Sequence, residues 1–343
     1  MQHADLGPLR VSRLALGTML MGGKTPVDES HRILDAFLAA GGTFLDTADV
    51  YGRGVSEEVL APWLARHRDE VVLATKVRWE VPDPPGAGLA PERVARACDA
   101  SLRRLAVDVI DLYQVHAPDP EVPLEDTLQA LDDLVRAGKV RAIGASNFPA
   151  WLLAWAVAVQ EREGWARFVS LQPQYSLVER SIEVEILPFC RWAGLGVLPW
   201  GPLGAGFLSG RYERGGEAPA GTRLGDAGDD LEEAPARRAV ERNFRAVDAA
   251  REVAAELGAT VPQVAIAWLL HQPGVTAPIV GPRTLEQLEE LLPAVDLPLS
   301  PEQLRRLSAA TAPPERYPDR MLAEQSGIDV ERQAVRGPAE TVR

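Results

Sequence analysis

The chain has 343 residues, of which 46% are hydrophobic and 25% charged, a composition typical of a globular protein. Its net charge of −13 at pH 7 argues against nucleic-acid binding, which favours a basic surface. No basic-then-apolar leader opens the sequence, and its longest apolar run, 148–159, is too short to cross a bilayer. We therefore expect a cytoplasmic protein without a membrane partner.

The first predicted element is a small β-hairpin over residues 4–12, turning at Gly7-Pro8, which is expected to plug the lower end of a barrel. Eight short apolar runs follow, separated by stretches with helical periodicity. In chain order these predicted strands are 14–17, 43–45, 71–75, 109–115, 140–144, 168–172, 196–199 and 276–280. This alternation predicts a parallel sheet of the α/β class, and eight repeats favour a (β/α)8 TIM barrel over an open doubly wound sheet.

Two irregular segments interrupt the alternation. Residues 81–91 are rich in proline and glycine, and residues 201–234 form a long glycine-rich loop after the seventh strand. Loops of that length inside a domain are usually functional lids or mobile segments. Residues 1–329 are predicted to form a single barrel domain, and residues 330–343 a loose C-terminal tail.

The cysteine pattern predicts no special chemistry. Cys98 and Cys190 each lie in a stretch with helical periodicity, so core packing is their expected role. The sequence contains no CxxC or HExxH motif, and a metal site is therefore not predicted.

Four polar residues stand at or just past the downstream ends of three predicted strands: Asp46, Tyr51, Lys76 and His116. All strand ends of this kind open onto one face of a barrel, so we expect the four side chains to converge. Lys76 is one of only three lysines in a chain that otherwise uses arginine. Lysine is the cation whose proton affinity a protein can tune, which favours a chemical role for it.

Together these four residues are suited to protonating a carbonyl oxygen. An ammonium favours the phenolate form of a nearby tyrosine, so Lys76 is predicted to tune Tyr51 while Asp46 keeps the lysine charged. Tyr51 would donate a proton to the oxygen as hydride reaches the carbon, and His116 would donate a hydrogen bond to that oxygen. Taken singly, each residue is more often structural, and only the combination predicts catalysis.

Residues at the later strand ends are candidates for holding a cofactor. Trp200 could stack on a flat heteroaromatic ring, and Ser146, Asn147 and Gln172 could hold a carboxamide. The loop after the eighth strand opens a helix, and Arg283 in it could bind phosphate.

Two alternatives for these segments stay open. Thr284 could simply cap the helix while Arg283 remains solvated. The segment 204–210, GAGFLSG, resembles a dinucleotide fingerprint, but its third glycine is displaced. We interpret it as a loop lying over a cofactor.

The sequence resembles the aldo-keto reductase superfamily over residues 6–318. The motifs that carry the resemblance, in chain order, are LALGTM (14–19), FLDTADVYG (44–52), LATKV (73–77), YQVHAPD (113–119), IGASNF (143–148), LQPQYSL (171–177), PWGPLGAGFLSG (199–210) and IVGPRTLEQL (279–288). The resemblance implies a (β/α)8 barrel that reduces carbonyls with NADPH. It makes Tyr51 the general acid, with Asp46, Lys76 and His116 completing a tetrad.

The resemblance also implies a set of binding residues. Tyr51, Trp79 and His116 would line the substrate pocket, although Trp79 could equally be ordinary packing. Arg283 would face a 2′-phosphate and favour NADP over NAD. The positions implied to bind cofactor are Gly17, Thr18, Asp46, Ser146, Asn147, Gln172, Trp200, Leu203, Arg283 and Gln287.

Some positions depart from the family pattern. Gly201 stands where a serine is frequent, so one hydroxyl contact is lost. Leu291 replaces a frequent asparagine near the adenine, and Glu290 precedes it, which weakens the expected adenine contacts and NADP preference.

The resulting hypothesis is an NADP-dependent carbonyl reductase or alcohol dehydrogenase acting on a small-molecule aldehyde or ketone. A nicotinamide-binding regulatory subunit, similar to the auxiliary subunits of ion channels, is the alternative. A sugar isomerase or phosphate-dependent lyase is disfavoured, because it would not explain the cofactor motifs. The substrate, the physiological direction and the choice between monomer and homo-oligomer stay open.

Overall fold

The structure, a computed structural model, describes residues 1–216, 238–314 and 316–326. The chain opens with an antiparallel hairpin, β1 (His3–Leu6) and β2 (Leu9–Ser12). The later strands are β3 (Ala15–Gly17), β4 (Phe44–Asp46), β5 (Val72–Val77), β6 (Val81–Pro82), β7 (Pro85–Gly86), β8 (Ile110–Val115), β9 (Val140–Ser146), β10 (Phe168–Gln172), β11 (Gly196–Val197) and β12 (Ile279–Val280).

All of these later strands except β6 and β7 form one eight-stranded parallel sheet in the order β11-β10-β9-β8-β5-β4-β3-β12. Val197 of β11 bridges Val275, its N–H donates to the Gly274 carbonyl at 3.1 Å, and its carbonyl accepts from Thr276 N at 2.8 Å. These bonds join the first strand of the sheet to the segment that leads into the last. The predicted TIM barrel is therefore confirmed.

Helices lie between successive strands and follow the last one. They are α1 (Val27–Ala39), α2 (Val55–His67), α3 (Pro91–Leu105), α4 (Leu124–Arg136), α5 (Ala150–Glu163), α6 (Ile186–Ala193), α7 (Glu241–Leu257), α8 (Val261–Leu270), α9 (Leu285–Leu291), α10 (Pro301–Ala310) and α11 (Asp319–Ser326). Short 3-10 helices cover Tyr51–Gly54, Arg68–Glu70, Ser181–Glu183, Phe207–Ser209 and Leu292–Asp296.

Most of the hydrophobic core lies between the sheet and the helices. The helix α3 shows how the sequence builds it, since its buried residues recur at intervals of three and four along one face: Val94, Ala97, Cys98, Ser101 and Leu105. Cys98 and Cys190 are both fully buried free thiols in this layer. Their predicted packing role agrees with that position.

A smaller apolar cluster fills the barrel and is closed from below by the hairpin. Leu6, Leu9 and Val11 of the hairpin are buried against inward-facing strand residues, which include Phe44 and Leu112. Two antiparallel strands cannot bury their own apolar face, so packing on the barrel floor stabilises both. The predicted N-terminal hairpin is thus present and covers the lower end.

Two strands are shorter than predicted by two residues or more, and proline explains both. Residues 196–199 and 276–280 were expected to be strands, but β11 ends before Pro199 and β12 begins after Pro278. Proline has no N–H to donate to a neighbouring strand. The carbonyl of Pro199 still accepts from Ile279 N at 2.8 Å, which keeps the two segments joined.

The predicted irregular segments are partly described. Residues 81–91 contain the antiparallel hairpin β6–β7, in which each strand is two residues long. The loop predicted over 201–234 is described as far as residue 216, and its remainder lies outside the described residues, as does the predicted tail 330–343. In the described part of the chain no single helix could span a membrane, and only the pair α7 and α8, bent by 97°, passes on length and composition.

Candidate active site

The floor of the candidate site is a buried ion pair. Asp46 ends β4 and Lys76 lies on β5, so the parallel register brings them together at the upper end of the barrel. Lys76 Nζ is 2.5 Å from Asp46 Oδ2 and also donates to the Thr47 carbonyl at 2.9 Å and to Tyr51 Oη at 3.2 Å. All three N–H bonds of the ammonium are therefore used.

Lys76 is completely buried, yet its surroundings favour the charged form. Burial alone would lower the pKa of Lys76, but the negative charge of Asp46 and the oxygen of Tyr51 outweigh it and raise that pKa. A buried ammonium next to a phenol favours the phenolate form of that phenol. The geometry thus places a permanent cation beneath the Tyr51 hydroxyl.

Tyr51 reaches this position because the chain reverses tightly after β4. Gly52, Arg53 and Gly54 all have positive φ, at 57°, 60° and 101°. Arg53 is strained there, since residues with a Cβ rarely adopt this conformation. A Cβ at Gly54 would also lie 2.9 Å from the Arg104 Cδ atom. The glycines around Tyr51 are therefore needed to turn the chain directly into α2.

His116 follows β8 and faces Tyr51. The two rings meet edge to face, with centroids 5.8 Å apart. Burial, reinforced by the charge of Lys76, lowers the pKa of His116 to about 3. The imidazole is therefore neutral at physiological pH. It can donate one hydrogen bond, but it carries no extra proton to transfer to a substrate. Its Nδ1 atom is buried and has no hydrogen-bond partner among the described residues.

Two buried amides hold the other oxygen of Asp46. Gln172 Nε2 donates to Asp46 Oδ1 at 2.8 Å and Gln114 Nε2 donates to the same atom at 3.2 Å. Gln114 was not predicted from the sequence. The available signal was a polar residue in a buried strand, two positions before His116 and hence on the same face.

Side-chain hydrogen bonds link the downstream ends of β8, β9 and β10 and the segment that follows β11. Trp200 Nε1 donates to Asn147 Oδ1 at 3.0 Å, and Asn147 Nδ2 donates to the His116 carbonyl at 2.9 Å. Ser146 Oγ donates to the Gln172 carbonyl at 2.8 Å. These bonds place the residues predicted to hold a carboxamide beside the four predicted catalytic residues.

An inner cavity of about 250 Å³ opens above this network. Its lining includes eight of the predicted residues: Gly17, Asp46, Tyr51, His116, Ser146, Asn147, Gln172 and Trp200. A groove of about 460 Å³ continues from it, and the two share Met19, Leu20, Gly201, Ile279 and Gly281 in their walls. Leu203, Arg283 and Gln287, also predicted, line this outer groove. The site is one continuous cleft.

Two predicted binding residues lie away from the cleft. Thr18 is fully buried, and its hydroxyl lies 2.8 Å from Ser56 Oγ instead of facing either cavity. Trp79 is 42% exposed and lines neither cavity, although its ring centroid is 6.2 Å from that of His116. The Arg78 guanidinium stacks on Trp79 at 5.2 Å.

The structure shows where the residues of the two open alternatives lie. Thr284 does cap α9, accepting from Gln287 N at 3.3 Å, while Arg283 lines the groove. Glu290 and Leu291, the departures from the family pattern, line it too. Residues 204–210 form turns and a short 3-10 helix, not the strand–turn–helix of a Rossmann fingerprint.

Metal ligands do not cluster in the part of the chain that the structure describes. No group of three histidine, cysteine, aspartate or glutamate side chains within those residues could hold a metal ion.

Comparison with known proteins identifies the family. The Aldo/keto reductase family model matches residues 13–312. An uncharacterized oxidoreductase of Bacillus subtilis, YrpG, is 39% identical, covering 90% of this chain and 95% of its own. The aryl-alcohol dehydrogenase (NADP(+)) of Phanerodontia chrysosporium is 31% identical over 96% and 91%. A probable voltage-gated potassium channel subunit beta of Oryza sativa is 33% identical over 90% and 96%. With a family match over most of its length, the chain belongs to the aldo/keto reductase family.

Proposed function

We propose that this protein is an NADP(H)-dependent oxidoreductase that reduces an aldehyde or ketone to an alcohol, with Tyr51 as the general acid. The observation that carries the proposal is the contact of 3.2 Å between Lys76 Nζ and Tyr51 Oη at the base of an open cavity. An oxidoreductase family and a relative named as an NADP(+)-dependent aryl-alcohol dehydrogenase support it.

The side chains that line the cleft suit a nicotinamide dinucleotide. Its inner cavity carries the amide and hydroxyl groups of Ser146, Asn147 and Gln172, which suit a carboxamide, and the Trp200 ring suits a flat heterocycle. Its outer groove carries Arg283, together with Lys24 and Arg211, which suit phosphates. When bound, the nicotinamide supplies the hydride.

In the proposed reaction, Tyr51 donates its phenolic proton to the substrate oxygen. Lys76 stabilises the resulting phenolate, and Asp46 balances the charge of Lys76 within the protein interior. Since all three groups are held by buried strands and a tight loop, little reorganisation accompanies the proton transfer. In the oxidation direction the same phenolate accepts the proton.

His116 orients the substrate oxygen. A neutral imidazole has one donor and one acceptor nitrogen, and its Nδ1 atom is buried without a partner in the described structure. A buried N–H without an acceptor is more costly than a buried lone pair, so we infer that the proton is on Nε2. The Nε2–H then donates to the carbonyl oxygen that Tyr51 protonates.

The test is the loss of NADPH absorbance with a panel of aldehydes and ketones. Tyr51→Phe is expected to lower turnover by about a hundredfold or more while leaving NADPH binding intact. Tyr113→Phe is the matched control, because Tyr113 is a buried tyrosine outside both cavities. Full activity in Tyr51→Phe would contradict the assignment.

The second candidate is a nicotinamide-binding regulatory subunit. The observation favouring it is the rice relative, whose name is that of a probable potassium channel subunit. It predicts tight NADPH binding, negligible turnover across the panel and co-purification with a membrane-protein partner. Robust turnover that depends on Tyr51 would favour the reductase instead.

A further inference from the structure

Gln114 contacts the same carboxylate that holds Lys76, and it does so from within the barrel. It is fully buried on β8, opposite Lys76 on one side and Gly144 on the other. A Cβ at Gly144 would lie 3.2 Å from Gln114 Cγ and 2.4 Å from Ser170 Oγ, so a glycine there leaves room for the amide.

The charge of Asp46 fixes the direction of both amides that meet it. Its other oxygen lies 2.5 Å from the Lys76 ammonium, so the carboxylate is ionised and can only accept hydrogen bonds. The atoms of Gln114 and Gln172 that lie 3.2 Å and 2.8 Å from Asp46 Oδ1 must therefore be the NH2 groups.

Gln114 Oε1 then accepts the second N–H of the Gln172 amide. Gln172 Nε2 is 3.3 Å from Gln114 Oε1 as well as 2.8 Å from Asp46 Oδ1. An amide nitrogen has two hydrogens, and both are now engaged inside the protein. Gln172 lines the inner cavity, and the only polar atom it can offer to a ligand is Oε1, an acceptor.

The neighbouring side chains have committed their hydrogens in the same way. Ser146 Oγ donates to the Gln172 carbonyl, and the Asn147 NH2 group donates to the His116 carbonyl at 2.9 Å and to Ser146 Oγ at 3.1 Å. Asn147 Oδ1 already accepts from Trp200 Nε1 at 3.0 Å, so it and Ser146 Oγ each keep one further lone pair. These side chains can therefore offer a ligand only acceptors, and Gln172 Oε1 is one of them.

We propose that Gln114 is a positioning residue that locks the Gln172 amide with its acceptor facing the cavity, and that this lock makes the site select a primary amide over a carboxylate or a ketone. The inference rests on the proposed nicotinamide cofactor, whose carboxamide carries an NH2 donor. A carboxylate in its place would face acceptors and be repelled, and a methyl ketone would bring no donor to them.

The experiment compares three oxidised dinucleotides that differ only at this substituent: NADP+, its nicotinic acid analogue and its acetylpyridine analogue. Their dissociation constants are measured by quenching of tryptophan fluorescence. The wild type is expected to prefer NADP+ over both analogues by about tenfold or more. Gln114→Leu, or Gln114→Met should the first variant fold poorly, is expected to reduce that preference about tenfold.

Two controls separate positioning from general damage. Gln160→Leu removes another buried glutamine, which lies on α5 outside the cleft and accepts a hydrogen bond from Phe168 N. This variant should leave the ratio of dissociation constants unchanged. Gln114→Glu, whose protonated carboxyl can donate to Asp46 and accept from Gln172, should retain the ratio. Adenosine 2′,5′-bisphosphate, which lacks the nicotinamide, should bind all variants equally.

An unchanged ratio in both Gln114→Leu and Gln114→Met would overturn the positioning role while leaving the reductase proposal standing. Failure of the wild type to bind any of the three dinucleotides would overturn the cofactor proposal itself, and this inference with it.

Discussion

Asp49 Oδ2 and Arg93 Nη2 lie 3.7 Å apart in the protein interior, and this pair joins the loop that carries Tyr51 to α3. Arg93 also donates to the Gly86 carbonyl in the β6–β7 hairpin. A second brace runs parallel to it, because Arg104 of α3 bonds the buried Glu57 carboxylate at 2.7 Å. The same arginine donates to a carbonyl of the hairpin turn. The loop that carries Tyr51 and the first turn of α2 are thus fastened to α3 and to the β6–β7 hairpin, by the buried Arg93 and the half-buried Arg104.

The charge on Asp49 should make stability depend on pH. Burial, followed by repulsion from Glu57, raises the pKa of Asp49 to about 7 despite the attraction of Arg93 and Arg104. In the unfolded chain the same carboxyl loses its proton near pH 4. Between these values the folded state binds the extra proton, so the free energy of unfolding falls as pH rises through that window.

We expect Asp49→Asn to remove this part of the pH dependence. The part amounts to at most about 4 kcal/mol, since a tenfold change in proton affinity corresponds to about 1.4 kcal/mol. Urea denaturation of wild type and variant at about pH 5 and about pH 8 measures it. The difference in unfolding free energy between variant and wild type should shift in favour of the variant as pH rises. Any loss from removing the carboxylate partner of Arg93 is the same at both pH values and does not affect this shift. Parallel curves would show that Asp49 stays ionised throughout.

Titration of His116 should not lower kcat/KM for carbonyl reduction on the acidic side of the pH profile. With its pKa lowered to about 3, the ring remains neutral from about pH 5 upward and donates a hydrogen bond throughout. His116→Phe is expected to lower kcat/KM by about a hundredfold, as removal of an oxyanion donor does. The measurement is kcat/KM across pH. A wild-type limb near the usual histidine pKa of about 6.5 that vanishes in the variant would contradict the neutral donor.

Lys76→Met should damage both folding and turnover, and a double variant can separate the two. Removing one partner of a buried ion pair leaves Asp46 uncompensated, which costs about 3 to 5 kcal/mol of unfolding free energy. Asp46→Asn combined with Lys76→Met should recover much of that stability, because no unpaired charge remains. Turnover should stay low in both, since the phenolate of Tyr51 loses its cation. Recovered activity in the double variant would show that Lys76 is structural.

Arg283→Ala should weaken NADPH binding much more than NADH binding. Arg283 lines the outer groove, where a bidentate guanidinium suits a 2′-phosphate. The expected change is about tenfold or more for NADPH and within about threefold for NADH. Fluorescence titration with both cofactors measures it, and Glu290→Gln in the same groove provides the opposite change of charge. Equal weakening for the two cofactors would place Arg283 on a part they share.

The sequence allowed the barrel and the meeting of Asp46, Lys76 and His116 to be predicted, because strand order and the common face of the strand ends follow from the alternation of elements. Their proposed chemical roles stay predictions. The extents of β11 and β12 were overestimated, since apolar composition does not show which N–H groups are available and proline removes one in each segment.

Side-chain direction was the part that the sequence could not show. Thr18 was matched to the cofactor by resemblance, yet its hydroxyl turns inward to Ser56. Gln114 was not predicted, since β8 is buried on both faces and its polar residues do not alternate in a way that marks the inward side. Only the register with Lys76 reveals that its amide reaches Asp46.

The hairpin at the lower end has a practical consequence for handling the protein. Met1 lies next to Gly41 just beyond the end of α1, and Gln2 bonds Asp296 at 3.0 Å, so the N-terminus is anchored at the end of the barrel away from the cleft. A purification tag or a linker to an electrode surface can be joined there with the mouth of the cleft directed into solution. Immobilised protein oriented in this way should turn over carbonyl substrates at the rate of the free protein.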